Sequence, residues 1–392
     1  MHLLGRFPLA DMQFRIGIYA AATGIYSDCD KSARLVFRAG ELKQVLMSGE
    51  RMSLKLASVW LARFGVASVA LCVCLLASCV ALAQECSQAS EIDPINRAAI
   101  DNAARQFIEF ASHGDVQSMR QGAIPALASG FDAIQQTVTR DKGSLGDQVT
   151  IRRDYLLDAS RMTERSPNTQ FFCGVYGTNG HTPTSASFAI PNLDPGQYAL
   201  VLTNVTGGKL PHMVTVVLQK LQGQWKLAGY YPKITEVSGH DAEWYAHEAK
   251  QFRVKGQLHN AYFYYMLAWE IYAPVDFMSS LQLDKLANTI QEARPSDVPA
   301  GQPVPLAVNG RTYNLTQIFA VPDERGGLSL VVRYEAADVG NTIQASQDNL
   351  AMIRAIATKF PEVRTAFSGI VARATTASGQ DYGTLQVMKE IP

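Results

Sequence analysis

Proton-transfer chemistry needs a carboxylate, imidazole or phenol held within hydrogen-bond reach of a substrate, with a second such group as its complement. Asp154, Tyr155, Tyr198 and His212 meet that requirement by type and fall inside stretches of regular pattern. Used as acid and base they would suit an isomerase, a dehydratase or a hydrolase. Asp154 directly follows Arg152 and Arg153, which reads as a solvated ion pair. His212 shares alternation parity with Val214, Val216 and Leu218 and so can point inward, yet a histidine opening a strand also serves as a hydrogen-bonded structural residue. No spacing among the four matches a nucleophile, its base and an orienting group, so none is assigned a catalytic role, and the balance leans away from an enzyme.

Other chemistries are set aside by pattern. His240, His247 and His259 invite a metal reading, but the segment HEAK lacks the second histidine that a zinc-binding helix places four residues on. The stretch CGVYGTNGH, with Gly174, Gly177, Gly180 and His181, has neither a Gly-Lys-Ser/Thr ending nor a helix signal behind it. It reads as a loop between strands and not as a phosphate cradle. No metal and no cofactor is expected. The formal charge is zero over the chain, with nine Lys/Arg against five Asp/Glu up to Ala83, so the remainder carries about −4. A mildly acidic surface without clustered Lys/Arg does not release counterions from a phosphate backbone, and nucleic acid is excluded as a partner.

The elements that must position these residues begin with helices. Ile95, Ala99, Ala103, Phe107 and Phe110 line one face from Pro94 to Ser112, with Gly114 as a stop. A second helical piece spans Gly122 to Thr139 and breaks near Ser129-Gly130. Past Gly146 the pattern changes to alternation over Val149 to Leu157, Gln170 to Tyr176, Ala186 to Ile190, Tyr198 to Val205, His212 to Leu218 and Trp225 to Tyr231. Asp194-Pro195-Gly196, Gly207-Gly208 and Gln222-Gly223 supply hairpin turns. Helices followed by hairpin-linked strands predict an α+β domain over residues 84–235, its helices packed on a curved antiparallel sheet.

The closing stretch HMVTVVLQKLQGQWKLAGYYP, with Gly223, Trp225 and Leu227 in a G-x-W-x-[LV] strand, resembles the nuclear transport factor two-like (cystatin-like) superfamily. The resemblance covers about 140 residues and implies a cone-shaped cavity, in a family that includes isomerases, dehydratases and small-molecule binders. It carries over a fold and no site residue.

Residues 236–296 read as a helical hairpin from Asp241 to Ala273, with Gly256 at the turn and Pro274 at the end. The spacing of Tyr245, Ala249, Phe252, Ala261, Tyr265 and Ala268 resembles one tetratricopeptide unit, capped by a further helix from Met278 to Ala293. Tyr262, Tyr264 and Trp269 on this aromatic-rich segment are candidates for an interaction surface, set against burial between flanking elements. After the four prolines of Arg294 to Pro305, residues 297–392 predict a small α+β sandwich: an Asn309-Gly310 hairpin, a strand Leu328 to Tyr334, a helix Ser346 to Phe367 interrupted at Pro361, and two final strands in an antiparallel sheet.

Phe64 to Ala83 is an uncharged apolar run preceded by Arg51, Lys55 and Arg63. Met52 opens a conventional signal sequence, so residues 1–51 read as a misassigned start or an extension and 52–83 as the signal. Cleavage between Ala83 and Gln84 releases the remainder, lipidation at Cys79 within Leu-Ala-Ser-Cys tethers it, and retention of the run anchors it in a membrane. In an exported protein Cys86 and Cys173 are the pair left to form a disulfide, against two buried free thiols. The functional expectation is a non-catalytic exported binding or scaffold protein of the bacterial envelope, taking an envelope protein or a small apolar ligand, with a cavity enzyme using His212 or Asp154 as base as the alternative.

Overall fold

The computed structural model describes residues 85–176 and 180–392. The apolar run Phe64 to Ala83, Cys79 and the Ala83/Gln84 site lie outside the described residues. A short strand β1 (Glu85–Gln88), without a signal in the sequence pattern, precedes helix α1 (Pro94–His113). The start of α1 is set by Asp93, whose side chain accepts from the Asn96 amide, and by Pro94 in the first turn; it ends at Gly114 in the left-handed region. Three short helices follow: α2 (Val116–Gln121), α3 (Pro125–Ser129) and α4 (Asp132–Asp141). The break at Ser129-Gly130 thus separates two helices.

Strand β2 (Gln148–Asp158) enters a five-stranded antiparallel sheet of order β1-β2-β5-β6-β7, with β5 (Gln197–Thr206), β6 (His212–Leu221) and β7 (Gln224–Ile234). Between β2 and β5 the chain leaves this sheet to form the hairpin β3 (Ser166–Tyr176) and β4 (Gly180–Leu193), which pairs with β10 (Met278–Ser280). The five-stranded sheet is buried on both faces. Ala199, Val201, Val205, Val214, Val216 and Leu218 pack against Ile100, Phe107, Ile108, Met119 and Phe131 on the helical side. Tyr155, Leu157, Tyr198, Leu200 and Leu202 pack against Phe171, Phe188 and Met278 on the other. Burial on both sides explains why β5 and β6 read as nearly continuous apolar runs instead of a clean alternation.

A disulfide joins Cys86 on β1 to Cys173 on β3, with their Cα atoms 5.1 Å apart. It links edge strands of two different sheets. After a two-residue ladder of β8 (Glu236–Val237) and β9 (His240–Asp241) come the antiparallel helices α5 (Ala242–Val254) and α6 (Leu258–Tyr272). The stretch expected to start a helix at Met278 first forms β10, because Met278 pairs with Phe188, and only then becomes α7 (Leu281–Ala293), capped by Ser280.

The C-terminal sheet has order β11-β12-β13-β14-β15: β11 (Val304–Val308), β12 (Arg311–Pro322), β13 (Leu328–Glu335), β14 (Gly369–Thr375) and β15 (Asp381–Val387). It is not wholly antiparallel: β13 and β14 run parallel. A parallel neighbour needs a crossover, and α8 (Thr342–Lys359) with the 3-10 turn Pro361–Thr365 supplies it. Both faces of β13 are buried, Leu330, Val332 and Tyr334 on one and Ser329 and Val331 on the other; Met352, Ile353 and Ile356 of α8 are buried too, and the Tyr334 hydroxyl donates to Asn349 Oδ1 of that helix.

Candidate functional site

The tripeptide Arg152-Arg153-Asp154 does not form one surface ion pair. The pairing of β2 with β5 shifts register between Ile151 and Arg153, so Arg152 is an extra residue in the strand. In a regular strand successive side chains alternate between faces; a bulge breaks the alternation and re-aims its neighbours. Val149, Ile151 and Leu156 pack with the helical-side core, whereas Tyr155 and Leu157 belong to the opposite core. Asp154 goes to the helical side, fully buried, and accepts from Arg97 Nε of α1 at 2.8 Å. Arg152 and Arg153 both line a cavity with Tyr155. Among the described residues neither arginine has a carboxylate within ion-pair distance.

That cavity has a volume of about 270 Å³. Its walls are Leu202 and Met213 from the central sheet, Thr184 and Ser185 from β4, and Ile271 and Tyr272 from the end of α6. Met278 and Ser280 of β10, Gln282 and Leu283 of α7, and Asp241 to Glu243 at the start of α5 complete it. The lining mixes polar and apolar groups, and on the sheet side Arg153 stands directly beside Leu202. The Tyr272 hydroxyl is bonded to Gln282 Oε1. Burial raises the Tyr272 phenol, while Arg152 and Arg153 pull it down and Glu243 pushes it up. Burial likewise raises Tyr155, opposed by the charge of Arg153 and its hydrogen bond. Both guanidiniums are therefore felt at the Tyr272 hydroxyl, and Arg153 also at that of Tyr155. Asp241 is occupied as the cap of α5, accepting from the Trp244 amide at 2.9 Å.

The four candidate acid–base residues do not converge. Asp154 and His212 face the helices, Tyr155 and Tyr198 the opposite side. On the shared face His212 pairs with Val205 and Asp154 with Val201, four residues along the ladder. That is about 13 Å at about 3.3 Å per residue. His212 is buried, with Nδ1 2.9 Å from the carbonyl of Leu210 in its own turn. Tyr198 donates to the Asp194 carbonyl at 2.9 Å, and burial pushes its phenol up to about 12. Next to Asp154 stands Asp101, one turn of α1 beyond Arg97; burial first, then the Asp154 charge, raises its carboxyl. Oδ1 of Asp101 and Oδ1 of Asp154 are both buried without a partner of their own.

The remaining sequence candidates have local roles. Tyr262 and Tyr264 are buried, the latter donating to the Ala366 carbonyl at 3.0 Å, and do not form an open interaction surface; Trp269 is half-buried. Burial follows from α6 being apolar around most of its girth, flanked by α5, α7 and β12. His240 stacks on Trp244, with ring centroids 3.7 Å apart, and His247 is exposed. His259 lies between Glu362 Oε1 at 2.6 Å and Asp297 Oδ1 at 2.9 Å, and Asp297 also receives Lys359 at 2.9 Å. Among the described residues no group of three or more His, Cys, Asp and Glu is placed to hold a metal ion. No described helix is long and apolar enough to cross a membrane.

Arg152 and Arg153 are the functional candidates that strand parity alone misses. A signal was present: the helix-facing apolar positions run Val149, Ile151, then Leu156, a phase slip that marks an inserted residue between them. No family model matches the chain, and no curated protein and no solved structure matches it.

Proposed function

We propose that the chain is a non-catalytic, exported binding protein whose ligand site is the cavity between β2, β4, α5, α6 and α7. The observation that carries this reading is the divergence of the acid–base candidates, set beside a cavity that gathers two arginines without a carboxylate partner, hydroxyls and apolar side chains. Acid–base catalysis needs two titratable groups within reach of one substrate; a binding site needs concavity and a few oriented polar groups. Export is supported by the Phe64 to Ala83 run in the sequence and by the Cys86–Cys173 bridge, since disulfides persist in oxidising compartments. Helices followed by antiparallel strands support the nuclear transport factor two-like reading of residues 84–235, and the α5–α6 pair supports a tetratricopeptide-like one.

The test is native mass spectrometry of the full chain after exposure to an envelope extract. A small-molecule adduct is expected, and Ala242→Trp, which places an indole at the half-buried start of α5 on the cavity wall, is expected to abolish it. An adduct that survives in the Ala242→Trp protein, or the absence of any adduct, would remove the reading. Conversion of an extract component by the wild-type chain would return the enzyme alternative.

A further inference from the structure

Resting on the cavity reading above, we infer that the ligand is an oxyanion, a carboxylate or a phosphate, joined to a short apolar body, with the anionic head held between Arg152 and Arg153. The first support is the bulge. Two consecutive residues of a strand ordinarily point to opposite faces; the register shift between Ile151 and Arg153 brings both guanidiniums to one cavity. Like charges gathered on one wall repel, and their arrangement is stabilised when an anion lies between them.

The second support is what the arginines lack. Asp154, the carboxylate next to them in sequence, is turned through the sheet to Arg97. Of the two acidic residues at the cavity, Asp241 is engaged in capping α5 and Glu243 lies in the first turn of that helix, where the helix dipole already offsets a negative charge. The formal charges of the lining cancel, and it is the positive end of the α5 dipole beside the two carboxylates that leaves a small surplus for an anion. A guanidinium presents paired N–H donors in a plane, matching the two oxygens of a carboxylate or phosphate.

The third support is the apolar part of the lining, which begins beside the arginines at Leu202, the cross-strand neighbour of Arg153. Leu202, Met213, Ile271 and Met278 are all buried apolar residues, and the cavity volume of about 270 Å³ is at the small end for ligand sites. This limits the apolar body to a short chain or a single ring. A free ion alone would leave that apolar lining uncovered.

The experiment is isothermal titration of the full chain with four probes that share one tail: octanoate, octyl phosphate, octanol and octylamine. Octanoate or octyl phosphate is expected to bind one to one, and octanol about 10- to 100-fold more weakly, the range of a lost charge-assisted hydrogen bond. The tighter of the two anions identifies the head group. In the Arg152→Met/Arg153→Met protein the anions are expected to fall to the affinity of octanol, whose own binding is unchanged. Arg152→Gln alone, at an exposed side chain, gives a smaller loss in the same direction and guards against misfolding of the double variant. Octanol or octylamine binding as tightly as the anions, with Ala242→Trp abolishing it, would overturn the anion assignment and leave the cavity reading standing. No binding of any probe would overturn both.

Discussion

Oxidation of Cys86 and Cys173 closes a loop of 87 residues between the edge strands of two sheets. The unfolded chain loses the freedom of that loop, and the chain-entropy expression gives about 15 cal/mol/K, or about 4.6 kcal/mol at about 25 °C. The native state already holds the two strands together: Cys86 packs with the core that contains Tyr155, Phe171 and Phe188, and Cys173 is fully buried there. Reduction should therefore leave the fold in place and act through the unfolded ensemble. The clean comparison is the same chain, oxidised and reduced, because no side chain changes. In urea, with a slope of about 3 kcal/mol/M, reduction is expected to lower the midpoint by about 1.5 M. The Cys86→Ala/Cys173→Ala protein should match the reduced chain to within the small cost of two lost sulfur atoms and show no response to reductant. A peptide map of the oxidised chain should contain the linked Cys86 and Cys173 peptides. A linked map with a midpoint shift below about 0.3 M, on the same linear extrapolation, would refute the loop-entropy argument. Two free thiols at these positions in oxidised protein would refute the bridge itself.

Two further predictions concern buried charge. Arg97→Ala leaves the fully buried Asp154 carboxylate without its cation and is expected to cost about 3 kcal/mol by urea unfolding, most of it recovered when Asp154→Leu is added; a cost below about 0.5 kcal/mol would mean the pair behaves like a surface ion pair. Asp101 and Asp297 should give opposite pH slopes. Burial and the Asp154 charge raise Asp101, so its stabilising contribution is full below its ordinary value of 3.8 and is lost as pH rises through the raised folded value. Asp101→Asn should accordingly gain more stability near pH 7 than near pH 4. For Asp297, burial pulls the carboxyl up but is outweighed by hydrogen bonds from Lys359 and His259, so it lies below 3.8 and its contribution is lost as pH falls through that depressed value. Asp297→Asn should lose stability near pH 7 and flatten the acid limb, and the same slope in both variants would refute the assignments.

Much of the architecture was legible because it is encoded locally. Asp93-Pro94 and Gly114 bound α1 through cap chemistry that depends on neighbouring residues alone. The turn Asn309-Gly310 set the β11–β12 hairpin for the same reason, both residues taking positive φ. Other elements depended on partners distant in the chain. Met278 to Ser280 has a helical neighbourhood but forms a strand because β4 offers an edge, and β13 lies parallel to β14 because α8 packs where the crossover must pass. Tyr262 and Tyr264 could be read as surface or core from the sequence; α5, α7 and the C-terminal segment around Ala366 decided for the core.

The candidate site shows the same division. The residue types, a pair of arginines beside a carboxylate in a strand, are visible in the sequence, and so is the cysteine pair, because composition and order carry them. Only the tertiary structure separated them. Pairing with β5 inserts one residue into β2, and that single slip sends Asp154 to Arg97 on the helical face and both arginines to the cavity on the other. A strand has no means of choosing a face by itself. The choice is made by which neighbour each face is buried against, and that is known only once helices, sheets and the α5–α7 helices have packed.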